Sequence, residues 1–246
     1  MIRFYILLLI TSCNFANVDD VVLVDIIRKV DKNLNSRTRI TTSDMIIHGR
    51  RNSRTVKSKN WNIGKDTTFT LNLYPAREKG VKMLKIHDKL WTYTPQTDRI
   101  IQISGHMLRQ SLNGSDMSYK DMMENRSLIE LYEFKLEDSE IINDRDHWII
   151  SMVSKVKGLS YPKRKSWIDK EYFLPVKEEL YAKSGKLLKT SSMSDIRKID
   201  GRWFPFHYKY KDELKINSKG TEWIIKEIKF NEFISRDIFT KSSLRK

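Results

Sequence analysis

Thr67-Thr68-Phe69-Thr70-Leu71-Asn72-Leu73-Tyr74 is the stretch from which the fold follows. Phe69, Leu71 and Leu73 alternate with Thr68, Thr70 and Asn72. Successive side chains of a strand point to opposite faces, so this period of two predicts a half-buried strand. Working outward, residues 81–86 and 90–93 predict a hairpin around His87-Asp88-Lys89, and residues 99–104 a strand after a turn at 95–98. Residues 42–50 predict a strand upstream. Residues 128–136, 148–157, 166–173, 178–184, 187–199, 203–211 and 221–230 continue the series. Turn signals separate them at Asn113-Gly114, Ser184-Gly185-Lys186, Asp200-Gly201 and Ser218-Lys219-Gly220. A meander of about ten or eleven strands with short turns and few helices predicts a mainly β fold, one antiparallel sheet curling toward a barrel.

Two segments keep a helical period instead. Residues 19–34 repeat Val22, Ile26, Ile27 and Val30 at helical spacing, with Asp19 and Asp20 at the start, where the helix dipole favours anions. Residues 118–125 predict a short helix with Asp116 as its cap. Met107, Leu108, Met122 and Met123 gather around it. Methionine suits irregular apolar surfaces, so they are either core filling or a lid over an apolar cavity.

Residues 1–16 stand apart. Arg3 precedes the apolar run Phe4-Tyr5-Ile6-Leu7-Leu8-Leu9-Ile10, and small residues follow, as in a secretory signal peptide. The run is too short for a spanning helix, which needs about 20 apolar residues. Cleavage near Ala16 leaves residues 17–246 as one domain. The lone cysteine, Cys13, closes Ile10-Thr11-Ser12-Cys13, which also fits a lipobox; in that case Cys13 carries lipid and the protein is membrane-anchored. Either course places the chain in the periplasm and leaves it without a disulfide. The net charge of +15, from 46 basic and 31 acidic residues, is spread along the chain as on a solvated sheet face. Its tightest cluster, Lys163-Arg164-Lys165, is too small for a nucleic-acid arm, and no nucleic-acid partner is expected.

Chemical motifs are missing. There is no nucleophile elbow, phosphate loop, dinucleotide fingerprint or paired-His metal helix. His48, His87, His106, His147 and His207 lack metal-ligand spacing and read as surface or strand residues. No catalytic residue, cofactor or metal is expected, so a binding protein is favoured over an enzyme. An interaction partner of an envelope exporter with a filled interior, and a binder or hydrolase of an anionic polymer, stay open as alternatives.

Residues 76–125 carry a resemblance. Lys79-Gly80-Val81-Lys82-Met83-Leu84, Leu90-Trp91-Thr92-Tyr93-Thr94-Pro95, the run 107–111 and Gly114-Ser115-Asp116-Met117-Ser118-Tyr119-Lys120-Asp121 look like the signature block of the LolA/LolB-like outer-membrane lipoprotein-sorting proteins. Trp167-Ile168-Asp169-Lys170, Leu174-Pro175-Val176-Lys177, Asp200-Gly201-Arg202-Trp203-Phe204-Pro205 and Asp237-Ile238-Phe239-Thr240 agree with it in order and spacing. Asn113 and Met117 depart from the pattern, standing where a small or aliphatic residue and an aromatic one are expected.

The resemblance implies a strongly curved open half-barrel, with helices covering an apolar concave face that takes acyl chains of lipoproteins or other lipid. It also implies an inner-membrane transporter or exporter as partner and a monomeric carrier. Cavity-lining candidates come from the apolar strand faces: Phe69, Leu71, Leu73, Leu84, Ile86, Trp91, Tyr93, Ile101, Ile103, Trp148, Ile150 and Met152. Met107, Leu108, Met122 and Met123 are the lid candidates. Each of these is equally readable as core packing, and Trp91 and Tyr93 as wall residues against a neighbouring strand.

Overall fold

The computed structural model describes residues 18–124, 126–216 and 218–246. The leader expected at 1–16, with Cys13, lies outside them. Helix α1 (Val18–Leu34) comes first, followed by strands β1 (Thr38–His48), β2 (Ser53–Ile63), β3 (Thr67–Tyr74), β4 (Lys82–Ile86), β5 (Lys89–Thr94) and β6 (Arg99–Ile103). A crossover of two 3-10 turns and the short helices α2 (Tyr119–Met123) and α3 (Leu128–Leu131) leads to the second half. That half holds β7 (Tyr132–Ile142), β8 (Arg145–Ser154), β9 (Lys163–Asp169), β10 (Pro175–Tyr181), β11 (Leu187–Ile199), β12 (Arg202–Asp212) and β13 (Thr221–Phe230).

All thirteen strands form one antiparallel, unclosed sheet in the order β6-β5-β4-β3-β2-β1-β13-β12-β11-β10-β9-β8-β7. It is the curved half-barrel that was expected, with more strands than the ten or eleven read from the sequence. The order explains the architecture. The chain starts at mid-sheet, meanders to the β6 edge, crosses to the β7 edge, and meanders back until β13 pairs with β1. The crossover therefore has to span the concave side.

Helix α1 packs into the concave face of β7–β9. Leu23, Ile26, Ile27 and Val30 form its buried stripe and meet Leu131, Tyr132, Ile150, Met152 and Ile168. Leu23 takes the place expected for Val22, which is exposed. The spacing i, i+3, i+4, i+7 brings the four to one side. At the other end, Met83, Leu90, Ile103 and Leu112 cluster with Met107, Leu108, Met122 and Met123 of the crossover. The C-terminal segment packs on the convex face of the first half, where Ile234, Phe239 and Leu244 join Phe69, Leu84 and Trp91.

One expectation about local structure needs correction. The cap of α2 is Ser118, whose side chain accepts from the Asp121 N–H while Asp121 accepts from the Ser118 N–H. Asp116 is instead buried and receives Thr221 Oγ1 at 2.8 Å and Ser218 Oγ at 2.8 Å, which ties the crossover to β13. His147 is a strand residue, as read, and is buried on β8 with its Nδ1 2.8 Å from the Arg145 carbonyl.

The seam between β12 and β13 is short, pairing only His207 through Tyr210 with Thr221 through Ile224. Glu222 bridges it on the convex side, its two oxygens 2.7 Å from His48 Nε2 and 2.8 Å from His207 Nε2. Burial pushes the Glu222 carboxyl up, but the two histidine hydrogen bonds outweigh it and hold the group below the usual glutamate range. A depressed folded pKa contributes stability that is present above the unfolded value and lost as pH falls through the folded one. Glu222→Gln is therefore expected to be less stable than wild type at pH 6, by about 1–2 kcal/mol. The difference should shrink at pH 3, as read by urea unfolding at the two pH values.

Candidate functional site

Between the two concave-side plugs lies a cavity of about 500 Å³, within the usual range for ligand pockets of roughly 300–1,000 Å³. Its two walls differ in chemistry. The wall from β11–β13 is apolar and aromatic: Met193 of β11, Phe204, Tyr208 and Tyr210 of β12, and Trp223 and Ile225 of β13. Tyr208 and Tyr210 stack with centroids 6.4 Å apart. Burial raises both phenol pKa values, so the hydroxyls stay neutral.

The facing wall from the first half is polar. Strand register lays its residues in rows across β1–β4. One row is Arg39–Asn62–Thr68–Lys85, the next Thr41–Asn60–Thr70–Met83, the next Ser43–Ser58–Asn72. Thr70 Oγ1 donates to Asn60 Oδ1 at 2.8 Å and Asn62 Nδ2 to Thr68 Oγ1 at 2.8 Å. Trp223 Nε1 donates to Ser43 Oγ at 2.8 Å, joining the two walls. Met45 and Val56 continue the floor as an apolar pair.

The crossover forms the roof, with Leu112, Met117 and Met122 lining the cavity. Asn113 adopts a left-handed conformation, φ 49°, and its carbonyl accepts from Arg54. Asn113 and Met117 thus both shape the roof. Asp121 holds the roof to the second half: Lys189 Nζ donates at 2.7 Å and Tyr161 Oη at 2.6 Å. Burial would raise this carboxyl, but Lys189 and the other donors hold it below its ordinary range. A hydrogen bond to a charged group contributes about 1.5–3 kcal/mol. Asp121→Ala is accordingly expected to raise the open population of the roof, and the ligand dissociation rate with it, about 10–100-fold in stopped-flow release.

The predicted site residues divide four ways. Phe69, Leu71, Leu84, Ile86, Trp91 and Tyr93 share the convex face and pack against the C-terminal segment, away from the cavity. Leu73 lies in register with them and Ile101 near the β6 edge, both exposed. Trp148, Ile150 and Met152 are on the concave side, packed against α1. Ile103, Met107, Leu108, Met122 and Met123 belong to the roof cluster, and of these Met122 lines the cavity. The expected apolar concave face is corrected accordingly: it is polar over β1–β3 and apolar over β11–β13. Of the residues that sequence reasoning missed, Thr68, Thr70 and Asn72 were visible as the polar half of the β3 alternation, whereas Ser58, Asn60 and Asn62 lie on β2, whose period the sequence does not mark.

A family model described only as "-like: Uncharacterized protein" matches residues 64–246. The same fold occurs in a DUF1329 family protein from Desulfovibrio piger, at TM-score 0.81 and 22% identity over 92% of this chain and 98% of that one. The chain belongs to the family of the model that matches residues 64–246. Two other solved structures share the fold. A domain assigned to outer membrane lipoprotein sorting from Vibrio parahaemolyticus superposes at TM-score 0.79, with 23% identity over 91% of this chain and 98% of that one. A LolA superfamily protein from Nitrosomonas europaea does so at 0.73, with 22% identity over 89% and 98%. No curated protein matches the chain. Among the described residues, no group of three or more His, Cys, Asp or Glu is placed to hold a metal ion, and no helix is long and apolar enough to cross a membrane.

Proposed function

We propose that this protein is a non-enzymatic periplasmic carrier or receptor that holds the acyl part of a lipid or lipoprotein under the crossover and delivers it toward the outer membrane. The observation that carries this reading is the unfilled cavity of about 500 Å³ between sheet, α1 and crossover. A protein that used this fold only as an interaction scaffold would be expected to close that space with bulky side chains. Here the floor of β1–β3 is built from Ser, Thr and Asn, and the roof from Leu and Met. Each methylene moved from water into such a space contributes about 0.8 kcal/mol, so one acyl chain against the Tyr208–Trp223 wall suffices for firm retention. A roof tied down by polar contacts and adaptable methionines provides for release. In the proposed cycle the cargo comes from an inner-membrane transporter or exporter.

The test is transfer of a fluorescent diacylated lipopeptide from donor to acceptor vesicles. Transfer should accelerate in proportion to protein concentration, and more so with Asp121→Ala. A rate equal to spontaneous transfer at every protein concentration contradicts a carrier.

A further inference from the structure

Charge pairing within the cavity is incomplete. Arg39, Lys65, Lys85, Arg126 and Arg164 line it, against Asp31, Glu124 and Glu178. Lys65 reaches Asp31 at 3.4 Å, Arg126 Glu124 at 2.7 Å, and Arg164 Glu178 at 2.8 Å. Among the described residues, Arg39 and Lys85 form no ion pair with a carboxylate.

Both cations retain unused donors. Lys85 is buried, 4% exposed. Its ammonium gives one hydrogen to the Lys65 carbonyl at 3.2 Å and one to the Met122 carbonyl at 3.0 Å. An ammonium has three donors, so one remains. Arg39 donates to the Leu34 carbonyl at 3.1 Å, while its Nε is buried without a partner. Burial disfavours the charge on each, and for Lys85 Asp66 and Glu124 offset that only in part. Asn72, also buried, has an amide nitrogen with no acceptor on the same wall. Leaving buried charges and donors unanswered costs stability, and a structure that retains them points to a ligand that answers them.

The two cations end one row of the polar wall, three strand spacings or about 14 Å apart at the backbone. Asn62 and Thr68 lie between them, opposite the aromatic wall.

We infer that the cavity selects an amphiphile with an anionic oxygen head, a carboxylate or phosphate, seated on the Arg39–Asn62–Thr68–Lys85 row with its acyl tail against Tyr208, Tyr210 and Trp223. The inference rests on the carrier reading and narrows its cargo. A purely apolar ligand would leave the spare donors of both side chains without acceptors; an anionic head supplies acceptors and opposite charge.

The experiment compares palmitate with hexadecanol, equal in chain length and different in charge, by calorimetric titration of wild type, Lys85→Met and Arg39→Met below micellar concentration. Replacing an unpaired buried charge by an apolar side chain of similar length is not expected to impair folding, and circular dichroism checks this. Wild type should bind palmitate at least tenfold more tightly than hexadecanol. Each substitution should reduce that preference about tenfold. A lysophosphatidic acid arm separates the two head chemistries, since whichever anion is preferred should lose its preference in Lys85→Met. Equal affinity for palmitate, lysophosphatidic acid and hexadecanol in wild type and variants overturns the anionic site while leaving the carrier reading standing. No binding of any of the three overturns both.

Discussion

Thr70→Trp is expected to reduce lipid affinity at least 100-fold while the sheet still forms. Thr70 stands in the middle of the polar floor, on β3 between Asn60 of β2 and Met83 of β4, and it lines the cavity. Tryptophan suits a strand position by propensity, so backbone pairing should survive. Its indole would occupy the space that an acyl chain needs. Excluding about four methylenes forfeits about 3 kcal/mol, which is roughly a 100-fold loss of affinity. The structural penalty is smaller, chiefly the bond from Thr70 Oγ1 to Asn60 Oδ1, about 1 kcal/mol. Thr70→Ser keeps that bond and opens the space slightly, so it should bind as wild type does. A fluorescent acyl probe titrated into the three proteins reads the difference. Undiminished binding by Thr70→Trp would place the ligand elsewhere.

Asp169→Ala should have the largest effect on stability. The carboxylate is 1% exposed and lies where β9 turns toward β10. Arg145 donates to it from Nε at 2.5 Å and from a terminal nitrogen at 2.8 Å, and the Glu171 and Tyr172 N–H groups donate at 2.9 and 2.7 Å. Burial pushes its pKa up, yet Arg145 and the two backbone donors hold it below the ordinary aspartate range. Alanine would remove two of the guanidinium's bonds, leaving it Glu171 at 3.2 Å, and would leave two turn N–H groups without their acceptor. Because Arg145 is 30% exposed and keeps Glu171, the loss is that of the hydrogen bonds to a charged group, about 1.5–3 kcal/mol, which for a chain of this size is a fall in Tm of roughly 3–12 °C. Asp169→Asn, which retains an acceptor, should lose less. The sign of the pH effect follows from the depressed pKa: this contribution is present at neutral pH and disappears as pH falls through the folded value. Calorimetric scans of the three proteins at pH 7 and pH 3 test both statements. An unchanged Tm for Asp169→Ala at pH 7 would remove this turn from the elements that hold the second half together.

Most strands were legible because their alternation is strong, as in Phe69, Leu71 and Leu73 against Thr68, Thr70 and Asn72. Strand β2 was not, since Lys57 and Lys59 face outward and Ser58, Asn60 and Asn62 inward, leaving few apolar residues to mark the period. The placement of the site failed for a different reason. Alternation tells which residues share a face of a strand, but not which face meets the cavity. In β3–β5 the apolar face is covered by Ile234, Phe239 and Leu244, contributed from the far end of the chain. That contact has no local signature, so the polar face of the same strands was left as the solvated side. The methionines of the crossover were legible as a group because the connection from residue 104 to residue 131 lacks the alternation of its neighbours. Their position over the concave face follows only from the strand order, which puts β6 and β7 at opposite edges.

The most direct test of the central claim, that the cavity is a lipid site, is native mass spectrometry of the protein equilibrated with envelope lipid extract, for wild type and Thr70→Trp side by side. A single lipid adduct per chain on wild type, absent from Thr70→Trp, is the expected result. An apo mass for wild type, or the same adducts on both proteins, would contradict it.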